Sequence, residues 1–265
     1  MTSLAGRVLL ITGASSGIGE ATALAAAGEG MRLVLAARRE EELQRVAARV
    51  EEIGAEALVC PTDVRARDQV ERLIAAAEER FGRVDALLAN AGIGRPQWAH
   101  EIADADVLSL MEVNLLGVIR CAQAVLPGML ARESGHIVTV SSVAAGLAVP
   151  RSAVYAATKA GVHRYCEGLR REVRPRGIEV TDVLPGVIAT PMTANLRGWP
   201  KSPVERVART IIGVLRRPRP WVVTPGWYRL ALALNRLSPG AMDVILGAMA
   251  ARERRQAEPE TPAEP

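Results

Sequence analysis

The sequence is poor in aromatic residues, which make up 3% of its 265 positions as one Phe, three Tyr and four Trp. Its core must therefore be built from Ala, Val, Leu and Ile. Apolar residues reach 49%, enough for a sizeable core in a chain of this length. Lysine is almost missing: Lys159 and Lys201 are the only two, and arginine carries the remaining basic charge. The net charge is +4, without a dense basic block or interleaved aromatics. That pattern excludes the usual nucleic-acid footprint and reads as a solvated surface. Cysteine is scarce and scattered at Cys60, Cys121 and Cys166, with no C-x-x-C pair. A disulfide framework and a cysteine metal site are excluded, leaving buried thiols in a reducing compartment. His100, His136 and His163 stand alone, without metal-ligand spacing. No run of about 18 apolar residues occurs and no basic-then-apolar leader pattern opens the chain, so a soluble cytoplasmic protein is expected.

What is present is a regular alternation. Arg7–Thr12 is a short apolar run, as a buried parallel strand should be. It leads into the turn GASSGIG and a helical pattern from Ile18 to Gly28. A strand, a glycine-rich turn (Gly13, Gly17, Gly19) and a helix start together make a phosphate cradle. Met31–Ala37, Ala55–Cys60, Val84–Ala89, His136–Val140, Ile178–Leu184 and Trp221–Val223 read as further strands. Helical patterns fall at Glu40–Gly54, Arg65–Phe81, Asp106–Arg132, the stretch running to Val173, and Pro203–Arg216. Pro127 is expected to kink or end its helix. Strand and helix alternate without a linker, which predicts one doubly wound α/β domain with a parallel sheet, a Rossmann fold. In such sheets ligands sit at the strands' carboxyl ends, where Gly13, Arg38, Asp63, Asn90, Ser142 and Pro185 all fall.

Two pairs of residues carry chemistry. Tyr155 and Lys159 are four residues apart on a helix and so share a face. An ammonium beside a phenol is expected to lower the phenol pKa from its usual value of about 10. Arg38 and Arg39 stand where dinucleotide folds often hold an acid for the ribose 2′-hydroxyl. A guanidinium there suits a 2′-phosphate, which predicts NADP(H) over NAD(H).

With those residues placed, the sequence resembles the short-chain dehydrogenase/reductase family, in its one-domain subgroup, over residues 3 to 224. The matching stretches are Thr12–Gly19 (TGASSGIG), Thr62–Val64 (TDV), Asn90–Gly92 (NAG), VNLLG around Asn114, Gly135–Ser142 (GHIVTVSS), Tyr155–Lys159 (YAATK) and Pro185–Thr190 (PGVIAT). The resemblance implies Tyr155 as the proton donor or acceptor and Lys159 as the residue that tunes it and holds the nicotinamide ribose. It implies Ser142, thirteen residues before Tyr155, as the hydrogen-bond partner of the substrate oxygen, with Ser141 facing elsewhere. Asn114 would position a water in a proton relay to Lys159. Cofactor contacts would come from Gly13, Ser15, Ser16, Gly17, Ile18 and Gly19, from Arg38 and Arg39, and from Asp63 and Val64. Asn90, Ala91, Gly92, Tyr155, Lys159, Pro185, Gly186, Ile188 and Thr190 would complete them. Ser16 departs from the basic residue that many NADP-using members carry there. The implied activity is NADP(H)-linked hydride transfer to or from a carbonyl or secondary alcohol, by a homodimer or homotetramer joined through Asp106–Arg132 and Arg151–Arg174. NAD-linked alcohol oxidation and a non-catalytic NADP(H)-binding sensor or scaffold are the alternatives.

The expected organisation is a Rossmann dinucleotide-binding and catalytic domain at 1–225, an apolar helical extension at 226–252 and a disordered tail at 253–265. The extension, broken at Ser238-Pro239-Gly240, is expected to pack on the domain or a partner subunit. Contact with a membrane surface is the less favoured reading. Mostly apolar candidate substrate walls at Ile93–Trp98, Val143–Pro150 and Val187–Trp199 predict a hydrophobic substrate, with Arg95 and Arg197 able to meet an anion.

Overall fold

The computed structural model describes residues 3–196 and 200–257. Seven parallel strands form one sheet in the order β3-β2-β1-β4-β5-β6-β7. They are β1 (Val8–Thr12), β2 (Arg32–Ala37), β3 (Ala57–Pro61), β4 (Ala86–Ala89), β5 (Gly135–Val140), β6 (Ile178–Pro185) and β7 (Trp221–Thr224). The helices are α1 (Gly17–Ala27), α2 (Glu40–Glu52), α3 (Arg67–Phe81), α4 (Asp104–Met111), α5 (Gly117–Ala131), α6 (Ala153–Val173), α7 (Val204–Arg216), α8 (Tyr228–Leu237) and α9 (Pro239–Ala257). The expected doubly wound single domain is what forms.

Both faces of the sheet are covered, which is why its strands read as unbroken apolar runs. Side chains alternate along each strand. Leu9 and Ile11 of β1 join a core with α1, α2 and α7, whereas Val8 and Leu10 join a second core with α3, α5 and α6. Strand order reverses about β1, whose neighbours are β2 and β4. The connections that leave the carboxyl ends of β1 and β4 therefore run toward opposite edges of the sheet and leave a crevice between them.

Three elements differ from expectation. The long helix is interrupted: Glu112–Leu116 is a π-helical stretch between α4 and α5, and it carries Asn114. Such insertions widen one turn of the backbone ladder and leave no mark on hydrophobic periodicity. Pro127 lies inside α5 without ending it, and the helix runs on to Ala131. From Asp104 to Ala131 the combined helix is long and apolar enough to cross a membrane by length and composition. Its Val118, Cys121, Ala122, Val125 and Met129, however, lie in the second core against the sheet. Finally, α9 continues to Ala257, beyond the expected start of the tail. Residues 258–265, the rest of that tail, lie outside the described residues.

Candidate active site

A cleft of about 460 Å³ opens along the carboxyl edge of the sheet. Its nucleotide end is built by the β1–α1 turn. Gly13 and Gly17 have φ of +67° and +60°, a region that side chains rarely occupy. A Cβ on Gly13 would stand 2.9 Å from Ala91 Cα, and one on Gly19 would overlap the Gly13 carbonyl. The turn is held by Asn90, whose Nδ2 donates to the carbonyls of Thr12 (3.0 Å) and Gly13 (3.2 Å). Thr12 Oγ1 in turn accepts from the Asn90 and Ala91 amides, both at 3.1 Å. The start of α1 thus turns backbone amides toward the cleft, and the glycines let a pyrophosphate approach them closely.

Basic groups rim this end. Arg39 Nη2 donates to Ser15 Oγ at 3.0 Å and Ser16 Oγ at 3.2 Å, and Arg38 stands exposed beside it. Ser16, the departure noted above, is here a partner of the arginine. Asp63 is ion-paired with Arg65 at 2.6 Å. The Arg65 hydrogen bond is the main reason its carboxyl is held below the usual range, with the Arg38 charge adding to it.

The other end of the cleft holds Ser142, Tyr155 and Lys159. Lys159 is 4% exposed. Its Nζ donates to the Val140 carbonyl at 2.9 Å and lies 5.7 Å from the centre of the Tyr155 ring. Burial presses the lysine down to about 8, opposed by the charge of Asp182. The expectation that Tyr155 titrates below its ordinary value is not met in this structure. Burial raises the phenol, and the Ser142 hydroxyl pulls it partway back. A lysine spent on a backbone carbonyl is not spent on the phenolate. Ser142 Oγ accepts from Ala144 N at 3.1 Å, and Ser141 turns away to Asp182 as expected.

All the sequence-predicted residues converge on this cleft except Gly19 and Asn114, which lie behind its wall. The Asn114 amide is fully buried; Oδ1 accepts from Ile93 N (2.8 Å) and Nδ2 donates to Ile93 O (3.0 Å). Ile188 and Thr190 lean in from the far side, and a Cβ on Gly17 would come within 3.2 Å of Thr190 Cγ2. Ile93, Met192 and Thr193, from the expected substrate walls, also line the cleft, and so does Val113, for which no role was expected. Arg95 is paired with Asp106 at 3.1 Å, and Arg197 lies outside the described residues.

Tyr228 of α8 is the functional neighbour the sequence did not reveal. It is buried against Gly186, where a Cβ would fall inside its ring, and its hydroxyl accepts from Val187 N at 3.2 Å. Asn235 donates to the Gly146 carbonyl at 2.8 Å. Helix α8 therefore braces the loops that follow β5 and β6.

The parallel sheet, the glycine cradle and the tyrosine–lysine pair define a Rossmann-fold oxidoreductase. The chain is similar over 224 residues to an uncharacterized oxidoreductase of Staphylococcus aureus (strain USA300), at 36% identity, covering 83% of this chain and 95% of that protein. A family model described as short chain dehydrogenase matches residues 7–201, and the chain belongs to that family. Among solved structures it resembles a short chain dehydrogenase/reductase from Burkholderia phymatum in complex with NAD. That match has 29% identity and a TM-score of 0.84, covering 90% of this chain and 95% of the other. It also resembles an alcohol dehydrogenase from the archaeon Thermococcus sibiricus complexed with 5-hydroxy-NADP, at 29% identity and a TM-score of 0.76, covering 82% and 95%.

Proposed function

We propose that this chain is an NADP(H)-dependent oxidoreductase that moves a hydride between nicotinamide and a carbonyl or secondary alcohol of a hydrophobic substrate. One observation carries the reading: a single cleft has Arg38, Arg39, Ser15 and Ser16 at one end and Ser142, Tyr155 and Lys159 at the other. The arginines favour a 2′-phosphate, because a guanidinium meets phosphate oxygens with two parallel hydrogen bonds. The apolar side chains of Ile93, Val113 and Met192 favour an apolar substrate.

The bound cofactor supplies or accepts the hydride, and the protein handles the proton. In reduction Tyr155 Oη gives its proton to the substrate oxygen, while Ser142 Oγ holds that oxygen in place. A phenol raised by burial stays protonated at neutral pH, which suits a donor. Lys159 carries the compensating charge beside it. Asn114 and Lys159 both border Gly92, where a Cβ would stand 3.3 Å from Asn114 Oδ1 and 3.5 Å from Lys159 Nζ, and this shared neighbour supports a relay between them. We further propose a homo-oligomer in a cytoplasmic setting. The free Cys60, Cys121 and Cys166 support the setting, and the exposed Leu108 and Leu116 on the α4–α5 face support the association.

The test is a panel of ketones and secondary alcohols assayed with NADPH, NADH and their oxidised forms. Turnover with NADPH well above NADH is expected. Preference for NADH would favour the NAD-linked alternative. Tight NADPH binding with no turnover on any substrate would favour the sensor.

A further inference from the structure

Strand β6 contains a charged residue that an apolar buried strand has no reason to hold. Asp182 is 1% exposed, and a carboxylate so placed is costly unless it is fully hydrogen-bonded. Its Oδ1 accepts from Thr139 Oγ1 at 2.8 Å. Its Oδ2 accepts from Ser141 Oγ at 2.7 Å and lies 2.8 Å from His163 Nδ1.

The partners come from the two elements that carry the reacting groups. Thr139 and Ser141 sit two residues apart at the end of β5, on one face of it, and Ser141 immediately precedes Ser142. His163 lies four residues beyond Lys159 on α6, as Lys159 lies four beyond Tyr155, so the three form one stripe. We propose that Asp182 is a positioning residue for the reacting set: its carboxylate ties the end of β5 that presents Ser142 to the α6 stripe that presents Tyr155 and Lys159, and so places a buried negative charge against that stripe. The inference rests on the catalytic reading of Ser142, Tyr155 and Lys159.

The titratable groups facing Asp182 are Lys159, His163 and Cys166, all from α6. Strand β5 contributes only hydroxyls, and the β7 residue paired with Asp182 is Trp221. The Asp182 charge raises both Lys159 and Cys166, in line with its reach into this stripe.

Asp182→Asn keeps the shape and removes the charge. Taking an anion away from the pair lowers the pH at which both the phenol and the ammonium titrate, and a shift of about one pH unit is expected. The shift is read in the pH profile of kcat. It is also read, without turnover, by ultraviolet titration of the three tyrosines, with Tyr155→Phe as the blank. Ser141→Ala removes one hydrogen bond but no charge; it should lower kcat with the profile in place. An Asp182→Asn enzyme that is merely weaker, with an unmoved profile and an unmoved phenol, overturns the proposal. If that variant does not fold, Asp182→Ser removes the same charge and should move the same limb downward; no movement overturns the proposal equally. A wild type without turnover would sink the catalytic reading, and the phenol titration would still decide this one.

Discussion

Arg38 and Arg39 decide what the nucleotide end can hold. Both stand at the entrance to α2, whose first turn carries Glu40, Glu41 and Glu42. Those acids meet the helix dipole and leave the arginines to face the cleft. Arg39 is already braced by Ser15 and Ser16, while Arg38 is exposed. Losing a charge-assisted hydrogen bond costs about 1.5–3 kcal/mol. Arg38→Ala should therefore weaken NADPH binding roughly tenfold or more and leave NADH nearly unchanged. Equal losses for both cofactors, measured by fluorescence titration, would place the 2′-phosphate elsewhere. At this scale the sequence was most informative where a residue type is forced by geometry, as at Gly13 and Gly17 with their positive φ. It was least informative about electrostatics. The spacing of Tyr155 and Lys159 puts them on one face but says nothing of their burial. Burial is what raises one group and lowers the other. Nor did it say that the amide of Asn90 would go to the β1 turn, or that Asp182 would find three partners.

Among the elements, α8 shows what hydrophobic pattern leaves out. The sequence marks it as an apolar helix able to cover the domain or a partner. The structure gives it two unlike faces. Tyr228 and Leu232 pack inward with Val143, Leu184 and Val223. Leu230, Leu234 and Leu237 point outward, with 67%, 48% and 82% of their surface exposed. Only the inward face bears on the cleft, through Gly186 and Val187. Replacing a buried aromatic ring by a methyl group typically costs about 3–5 kcal/mol. Tyr228→Ala should release α8 and loosen the loop after β6. Amide exchange should quicken in residues 186–193 and in α8, while β1 to β5 stay protected. Unchanged exchange in both would mean that α8 is held by other contacts. The π-helical stretch around Asn114 was illegible for a related reason: one extra residue in a turn leaves the apolar face nearly intact.

At the scale of the whole molecule, alternating strands and helices were enough to read the sheet, because a fully covered parallel sheet needs continuous apolar strands. What remained unreadable was association. The exposed Leu108 at 63% and Leu116 at 39% mark a face that sedimentation can test. A homo-oligomer is expected, and a monomer at micromolar concentration would contradict it. The central claim is that this cleft performs hydride transfer with Tyr155 as the proton donor. Tyr155→Phe leaves the ring, the cradle and the arginines in place and removes one hydroxyl. The measurement is NADPH consumption with a reactive ketone, wild type beside Tyr155→Phe, each with its NADPH affinity determined. The account predicts unchanged affinity and a fall in turnover of about 10²–10⁴, the range of general acid catalysis. Turnover within tenfold of wild type would contradict it.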